Sequence, residues 1–547
     1  MTTPDVAALT AQIRSGLLGP GGEFELTEAD VRGLRVPVFV NRKASLTDWL
    51  RYSARYGDDE YLVMGEQRVS YAQHLRAVAA VGAELQRRGV KPGDRVLILA
   101  ANSPAWVTTF WAITTIGGVT MAGNAWWTER EARHSLERGA PVLAITDVRR
   151  ASLVGDLPQL DVSEIDAIIA DPGDVALPDL VMPEDDPAVI VYTSGTTGYP
   201  KGATHSHRNM LSVIEYHRMN DATISGLAES FGMQAKVSGR RILMSLPLFH
   251  IASLHNLAVP RLTSGDAVII DSGRFEPDRV LALIEKERVS NWAIVPTMAH
   301  RIVESGSATE YDLSSLTALS INSAPSSPAL KARVKTALPG ISSTMIDSYG
   351  LTESSTAATV ATSADLEAFP LSVGRAIPGV SVEIHGANGA LLPDGEEGEI
   401  WLRSQFTMVG YWNDPEATAA AIDSEGWLHT GDLGRIEEDR LFMASRRSDL
   451  ILRGGENVYP AEIEAALDEH PDIDECAVFG VDDPDLGQRV AAVVVTSKEL
   501  SGEDLAAFLS ERIAHYKIPA DWKITAEPLT RTATGKVVRR TLSILES

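Results

Sequence analysis

The stretch that opens at Ser70 constrains the fold most tightly. Leu75, Val78, Val81 and Leu85 recur at helical spacing, and Gly89 with the Lys91-Pro92-Gly93 turn ends that helix. Val96 to Leu99 is then a short apolar run of strand type, and a second helix begins at once, with Ser103 placed as N-cap and Pro104 in the first helical position. A helix that feeds a buried strand and leaves it as another helix implies layers, so the expected class is α/β. Comparable apolar runs at 188–192, 267–270 and 292–295 continue the alternation, whereas the first forty or so residues, with GPGGEF as a loop, follow no regular pattern. At 547 residues the chain exceeds one ordinary core. Near Ser445 the texture changes: the basic run SRRSD precedes a strand at Leu450 to Arg453 and a Pro-started helix at Pro460 to Glu469. The expectation is a large, multi-subdomain N-terminal α/β domain over 1–446 and a small α+β domain over 447–547.

The formal charge of −25 repels nucleic-acid phosphates and anionic lipid, so nucleic acid is not an expected partner. An anionic ligand must instead meet a local cluster of cations and backbone N–H groups. The single cysteine, Cys476, excludes an internal disulfide, fits a reducing cytoplasm and sits in the apolar run ECAVFGV as a structural thiol. The first residues lack the pattern of a secretory signal, and no apolar run approaches the roughly 18 residues of a membrane span.

Against that acidic background the segment VYTSGTTGYPKG, Val191 to Gly202, stands out. Gly195, Gly198 and Gly202 let backbone N–H groups turn toward one point, Thr193, Ser194, Thr196 and Thr197 add hydroxyls, and Lys201 supplies a cation: the chemistry of a phosphate cradle. It is not the common P-loop, because Pro200 stands where that pattern needs glycine before the lysine. The segment resembles the signature loop of class I adenylate-forming enzymes, the superfamily of acyl-CoA synthetases, nonribosomal-peptide adenylation domains and luciferases. The resemblance extends over nearly the whole chain, and it implies that this loop holds the β- and γ-phosphates of ATP.

Further motifs follow in the family's order. DSYGLTE, Asp347 to Glu353, is similar to its adenine and metal motif. The resemblance implies that Tyr349 stacks on adenine, with Asp347, Ser348 and Gly350 beside it. Thr352 then bonds the α-phosphate and Glu353 binds Mg²⁺, aided by Thr196, since a carboxylate among phosphates requires an intervening cation. Asn322, Ser323, Ala324 and Pro325 occupy the place of a Gly-Gly-Ala-Pro-like turn that lines adenine and acyl group, with Asn322 and Ser323 replacing glycines. HTGDLGR, His429 to Arg435, brings Asp432 to the ribose hydroxyls. Pro247 to His250 resembles the aromatic-gate segment. His250 stands where amino-acid-activating relatives carry an Asp for the substrate ammonium, which favours an acid without an α-amino group. His205, His207 and His255 lack the spacing of a metal-binding helix.

In the C-terminal part, SRRSD falls at the family's hinge, with Arg446 directed to ribose and phosphate and Ser448 where relatives carry Asp or Lys. The resemblance implies a mobile domain. Gly454 and Gly455, in RGGENVYPAEIE, face the site for thioester formation and leave room for a pantetheine thiol, while Lys536, in PLTRTATGKVVRR, is the catalytic lysine of adenylation. A cation between carboxylate, transferring phosphorus and pyrophosphate stabilises all three charges.

The expected activity is therefore that of an acyl-CoA synthetase: ATP-dependent conversion of a carboxylic acid to acyl-AMP with release of pyrophosphate, then thioester formation with coenzyme A. Trp292, Val295, Met298 and Leu351 are apolar pocket candidates and make a fatty acid the default substrate, with aryl or steroid side-chain acids behind. Trp126 and Trp127 line or support the site. The alternatives are an enzyme that loads a carrier protein, a silent acyl-adenylate-binding protein and, least favoured, a luciferase-type oxygenase. Oligomeric state is open, a homodimer being one arrangement compatible with the chain.

Overall fold

The helix expected from Leu75 onward spans Tyr71–Arg87, capped where the Gln73 amide donates to Ser70. It leads into the strand Arg95–Leu99 and then the helix Pro104–Thr115, which Ser103 caps through the Trp106 amide. The computed structural model describes residues 6–193, 199–322, 326–341, 345–446, 449–453, 456–483, 486–531 and 537–542.

Every residue of Pro104–Thr115 is buried, including Trp106, Phe110 and Trp111. A helix that is apolar on all sides needs protein on all sides, and here two sheets supply it: the helix contacts Arg95–Leu99 and Val119–Ala122 of one and Glu60–Met64 of the other. The first, seven-stranded sheet runs in space through Gly410–Tyr411, Lys201–Ser206, Pro187–Thr193, Val119–Ala122, Arg95–Leu99, Leu143–Thr146 and Gln159–Asp161. Its last five strands are parallel, and the first two are antiparallel additions at the edge. The second sheet has nine strands, with Met345–Gly350, Ala318–Ile321, Asn291–Ile294, Arg241–Met244, Ala267–Ile270 and Glu60–Met64 parallel at its centre. Continuous apolar strands such as AVII at 267–270 suit this double coverage.

The irregular N-terminal region has a placement that its sequence did not announce. The helix Val6–Leu18 packs on the long helix His207–Ser230, and Leu26–Val31 pairs with Leu34–Phe39. At the hairpin turn Arg32, with φ of 54°, donates to the carbonyls of Thr407 and Met408 at 3.4 and 3.5 Å, bracing a segment that returns below.

A four-stranded antiparallel sheet, Val380–His385, Gly398–Ser404, Leu428–Glu437 and Arg440–Arg446, completes the large domain. The smaller C-terminal domain has its own five-stranded sheet, made by Ile451–Arg453, Glu456–Val458, Glu475–Asp483, Gly487–Val495 and Asp521–Thr525. Its core joins Ile451, Val458, Ile463, Leu467, Val490 and Leu505. The helix there spans Pro460–Leu467, two residues short of the expected end, where the Glu469 and His470 amides switch to the carbonyls of Ala466 and Leu467; Asp468 turns its carboxyl toward Ser327 of the large domain. Burial pushes that carboxyl up, while the Ser327 hydroxyl, the Cys476 thiol, His300 and Arg333 pull it back. Among the described residues, no helix is long and apolar enough to cross a membrane.

Candidate active site

In a parallel sheet flanked by helices, ligands are met beyond the carboxyl ends of the strands. Beyond Arg241–Met244 come Pro247 to His250, beyond Asn291–Ile294 come Val295 and Met298, beyond Ala318–Ile321 comes Asn322, and beyond Met345–Gly350 come Thr352 and Glu353. Four motifs separated in sequence thus meet along one sheet edge.

The phosphate segment is a β-hairpin of the other sheet, with Thr193 opposite Lys201 at its base and the Thr193 hydroxyl 3.5 Å from the Lys201 carbonyl. Ser194, Gly195, Thr196, Thr197 and Gly198 lie outside the described residues. Beside the loop, Tyr199 stacks on His134 at 4.4 Å, and the Arg130 guanidinium lies 4.8 Å from its ring centre. Both partners come from the helix Glu129–Gly139, one turn apart.

At the expected adenosine site, the Tyr349 hydroxyl donates to Asp432 Oδ2 at 2.8 Å, joining two buried side chains 83 residues apart. A cross-strand register sets Asp432 opposite Arg446, whose side chain is outside the described set. Asp347 points elsewhere: its carboxylate pairs with Lys331 at 2.6 Å, accepts from Ser326 at 3.3 Å and accepts from the Ser348 amide at 2.8 Å. The Ser348 hydroxyl donates to Asn322 Oδ1 at 2.9 Å, and Asn322 donates on to Ser320 at 3.0 Å, so the asparagine that replaces a glycine belongs to a polar ladder across two strands. Gly350 has no room for a side chain, since a Cβ would stand 2.6 Å from the Thr356 carbonyl. Ser323, Ala324 and Pro325 lie outside the described residues.

The Thr352–Glu353 loop is held from behind by side chains that the sequence offered only as non-ligands. Ser355 is buried with φ of 59°, a conformation that strains a non-glycine residue, and its hydroxyl donates to the Phe406 carbonyl at 2.6 Å. His205 Nδ1 lies 2.8 Å from that hydroxyl, and His255 Nδ1 lies 3.2 Å from the Ser355 carbonyl. Burial holds both histidines neutral, His205 well below the usual range and His255 down to about 4. No cluster able to hold a metal ion through three or more His, Cys, Asp or Glu side chains occurs among the described residues.

Glu353 accepts from the Tyr411 hydroxyl at 2.6 Å, and the Lys201 ammonium sits 5.1 Å from the centre of the Tyr411 ring. Burial, followed by the nearby Glu353 carboxylate, raises the Tyr411 phenol, so it remains a donor. Among the described residues the second Glu353 carboxylate oxygen has no hydrogen-bond partner, and it is a hard donor that suits Mg²⁺ when the remaining ligands are phosphate and water. Sequence reasoning missed Tyr411; the dipeptide Gly410-Tyr411 has no periodicity to mark it.

His250 follows Phe249, with rings 4.6 Å apart, and Trp126 meets Phe249 edge-on at 5.1 Å while remaining about half exposed. Its neighbour Trp127 is buried against Tyr192 and supports the sheet. Trp292 stacks on Phe275 within the core and donates to Ser245 at 2.9 Å; Met298 and Leu351 are half-buried. Gly454, Gly455 and Lys536 lie outside the described residues.

The architecture and site agree with what the chain is similar to. The family described as AMP-binding enzyme matches residues 50–412, and its C-terminal domain matches residues 462–536. A feruloyl-CoA synthase of Amycolatopsis is 35% identical over 507 residues, covering 91% of this chain and 98% of that protein. A long-chain-fatty-acid–CoA ligase of Bacillus subtilis is 28% identical, covering 90% and 92%. The structure of o-succinylbenzoate coenzyme A synthetase from Bacillus subtilis, in complex with ATP and magnesium ion, superposes with a TM-score of 0.77 at 28% identity, covering 90% of this chain and 98% of that one. The chain belongs to the AMP-binding enzyme family of the adenylate-forming superfamily, as an AMP-forming carboxylic acid–CoA ligase.

Proposed function

We propose that this ligase activates a hydrophobic acid whose carboxylate is carried by an aryl-bearing body, with fatty acids as the second class. The observation that carries the adenylate chemistry is the convergence of Tyr349 with Asp432 and of Lys201 with Tyr411 and Glu353, five side chains from four separate stretches of the sequence. The aromatic row Trp126, Phe249 and His250 supports an aryl substrate, because edge-on and tilted rings extend naturally onto another planar ring. The 35% identity to a feruloyl-CoA synthase supports the same choice, and the 28% identity to a long-chain-fatty-acid–CoA ligase keeps the second class in the test.

In this reading Tyr349 stacks on adenine, Asp432 takes the ribose hydroxyls, and Thr193 to Lys201 hold the β- and γ-phosphates. Thr352 bonds the α-phosphate, Glu353 with Thr196 holds Mg²⁺, and Ser323 to Pro325 line the pocket. Mg²⁺ supplies neutralising charge on the phosphates. A substrate carboxylate oxygen attacks the α-phosphorus, the bond to the bridging oxygen breaks, and pyrophosphate leaves with the electron pair. Lys536 stabilises that charge flow, and Arg446 assists at ribose and phosphate. The small domain, taken as 447–547, then turns so that Gly454 and Gly455 admit the pantetheine. The thiolate attacks the acyl carbonyl and AMP departs. Positioning and charge stabilisation supply the catalysis, without a covalent protein intermediate. A cytoplasmic location and a homodimer belong to the same proposal.

The test is pyrophosphate release with ferulate, indoleacetate and short, medium and long fatty acids, followed by transfer to coenzyme A or to a phosphopantetheinyl carrier protein. An aryl acid should give the highest kcat/KM and coenzyme A should be the acceptor. Preference for a long fatty acid would refute the aryl assignment, transfer only to the carrier would refute the acceptor, and no release with any acid would point to a silent binding protein.

A further inference from the structure

Lys201 and Glu353 carry opposite charges, flank the same ring and form no ion pair with each other among the described residues. Two such groups at the floor of an acidic protein's nucleotide site would ordinarily close on each other. A direct Lys–Glu contact would satisfy both and withdraw them from a polyphosphate and its cation.

Tyr411 separates them with two chemically different surfaces. Its ring face offers the negative quadrupole that attracts an ammonium, and its hydroxyl donates to a carboxylate, a charge-assisted bond. The backbone around Tyr411 is laced to both neighbours. Tyr411 and Gly410 lie opposite Ala203 and Thr204 of the strand that leaves the phosphate loop, the Val409 amide donates to the Thr204 carbonyl and the Trp412 amide to the Gly202 carbonyl, each at 2.8 Å. On the other side the Met408 amide donates to the Glu353 carbonyl at 2.9 Å.

The far side is fixed as well. Gly410 has φ of 150°, and a Cβ there would stand 2.6 Å from Thr418 Cγ2. The Tyr411 amide donates to the Thr418 hydroxyl at 2.9 Å, and that hydroxyl donates to the Asp414 carbonyl at 2.8 Å. Asp414 caps the helix Pro415–Ala421 through the Ala417 amide and pairs with Arg138 at 2.6 Å. The ring therefore sits on a rigid base between loops that begin more than a hundred residues apart in sequence.

We infer that Tyr411 is a positioning residue for adenylation: its ring seats Lys201 and its hydroxyl holds Glu353, keeping the two charges apart and presented to the polyphosphate and its divalent cation. The inference rests on the adenylate assignment of the site. It predicts a division of labour between ring and hydroxyl. Removing the hydroxyl alone frees Glu353 and weakens the cation, while removing the ring also releases Lys201 toward Glu353.

The test uses the full chain as wild type, Tyr411→Phe and Tyr411→Leu. Mn²⁺ binding is followed by electron paramagnetic resonance in the presence of α,β-methylene-ATP, analogue binding without metal and AMP binding by calorimetry, and thioester formation from supplied acyl-adenylate by coenzyme A consumption. Loss of a hydrogen bond to a charged group corresponds to roughly a tenfold change in affinity. Tyr411→Phe should weaken Mn²⁺ by about that factor while AMP binding and the thioester step stay within about twofold. Tyr411→Leu should in addition weaken the analogue without metal. Unchanged Mn²⁺ affinity in Tyr411→Phe overturns the inference, as does a parallel loss of AMP binding, which would mark a general packing role. Should Tyr411→Leu fail to fold, the Tyr411→Phe, Glu353→Gln and double-variant cycle decides: additive Mn²⁺ losses refute the coupling. A wild-type chain that binds neither analogue nor AMP refutes the adenylate assignment instead.

Discussion

Replacing Lys331 by methionine should destabilise the large domain while sparing the nucleotide. Lys331, on the helix Pro328–Ala337, pairs at 2.6 Å with Asp347 on the strand Met345–Gly350, and their side chains are 9% and 6% exposed. With the ammonium gone, Asp347 keeps the Ser326 hydroxyl and the Ser348 amide, so its charge is solvated in part. Removing one partner of a buried pair costs about 3–5 kcal/mol, and the two surviving donors place Lys331→Met near about 3 kcal/mol. Asp347→Asn should cost a similar amount by stranding the ammonium. The double variant Lys331→Met with Asp347→Asn, which strands neither charge, should recover at least about 1 kcal/mol relative to the sum of the single losses. The assay is denaturant unfolding followed by tryptophan fluorescence, with ATP affinity measured separately. The pair commits the carboxylate at the head of the adenine motif to Lys331, so ATP should bind the folded Asp347→Asn protein within about threefold of wild type. A Lys331→Met loss below about 0.5 kcal/mol, or an Asp347→Asn protein of native stability that no longer binds ATP, would refute this account.

Acid lability should follow from buried neutral histidines. Burial lowers His74 and His217 to about 3 and His207 and His255 to about 4, so between those values and the unfolded value near 6.5 the unfolded chain binds protons that the folded chain does not. The stabilisation is complete above about pH 6.5 and is lost as pH falls, by about 2 kcal/mol per histidine at pH 5. His74→Phe should flatten the acid limb by one proton, and an unfolding midpoint constant from pH 7 to 5 would contradict the assignment. Lys536→Ala should nearly abolish pyrophosphate release and leave thioester formation from supplied acyl-adenylate largely intact; equal loss in both half-reactions would remove its proposed role. Tyr349→Phe deletes the donor to Asp432 and should raise the AMP dissociation constant roughly tenfold with little change in Mn²⁺ binding. An unaltered AMP affinity would separate that bond from nucleotide recognition.

What the sequence discloses and what it conceals divide along a physical line. Ser70 and Ser103 cap helices through local bonds that side-chain type and spacing announce, and the apolar runs at 188–192 and 267–270 become strands because both faces are covered. The hairpin that closes with Thr193 opposite Lys201 is equally local. Pro247 to His250, Asn322 and Thr352 with Glu353 gather along one sheet edge because parallel strands all end there. By contrast the Tyr411–Glu353 bond spans 58 residues and the Arg32 bonds to Thr407 and Met408 span 375 and 376, contacts that no periodicity encodes. Asp347 and Lys331 show the same limit within a motif: the direction of the carboxylate depends on a helix that follows a different strand. His205 and His255 were legible only as histidines that could not form a recognised metal motif; their use behind Ser355 requires the loop's strained conformation, which composition cannot reveal.

The charge balance of the proposed site gives the small domain its task. ATP brings several negative charges to a chain whose own formal charge is −25. Near the hairpin, Arg138 pairs with Asp414, whose carboxylate also feels the Lys201 charge, and the Lys201 ammonium lies on the face of Tyr411. The histidines behind Glu353 are kept neutral by burial and add no positive charge. In the proposed reaction Lys201 and the nearby Arg130 leave part of the charge of departing pyrophosphate to a divalent cation and to the lysine of the small domain. Placing that lysine on a separately folded domain makes charge compensation conditional on domain position. Once pyrophosphate has left, the requirement for that cation falls, and withdrawing it clears space for a thiolate that needs access to the acyl carbonyl. On this reasoning the order of the two half-reactions follows from where the positive charge is kept.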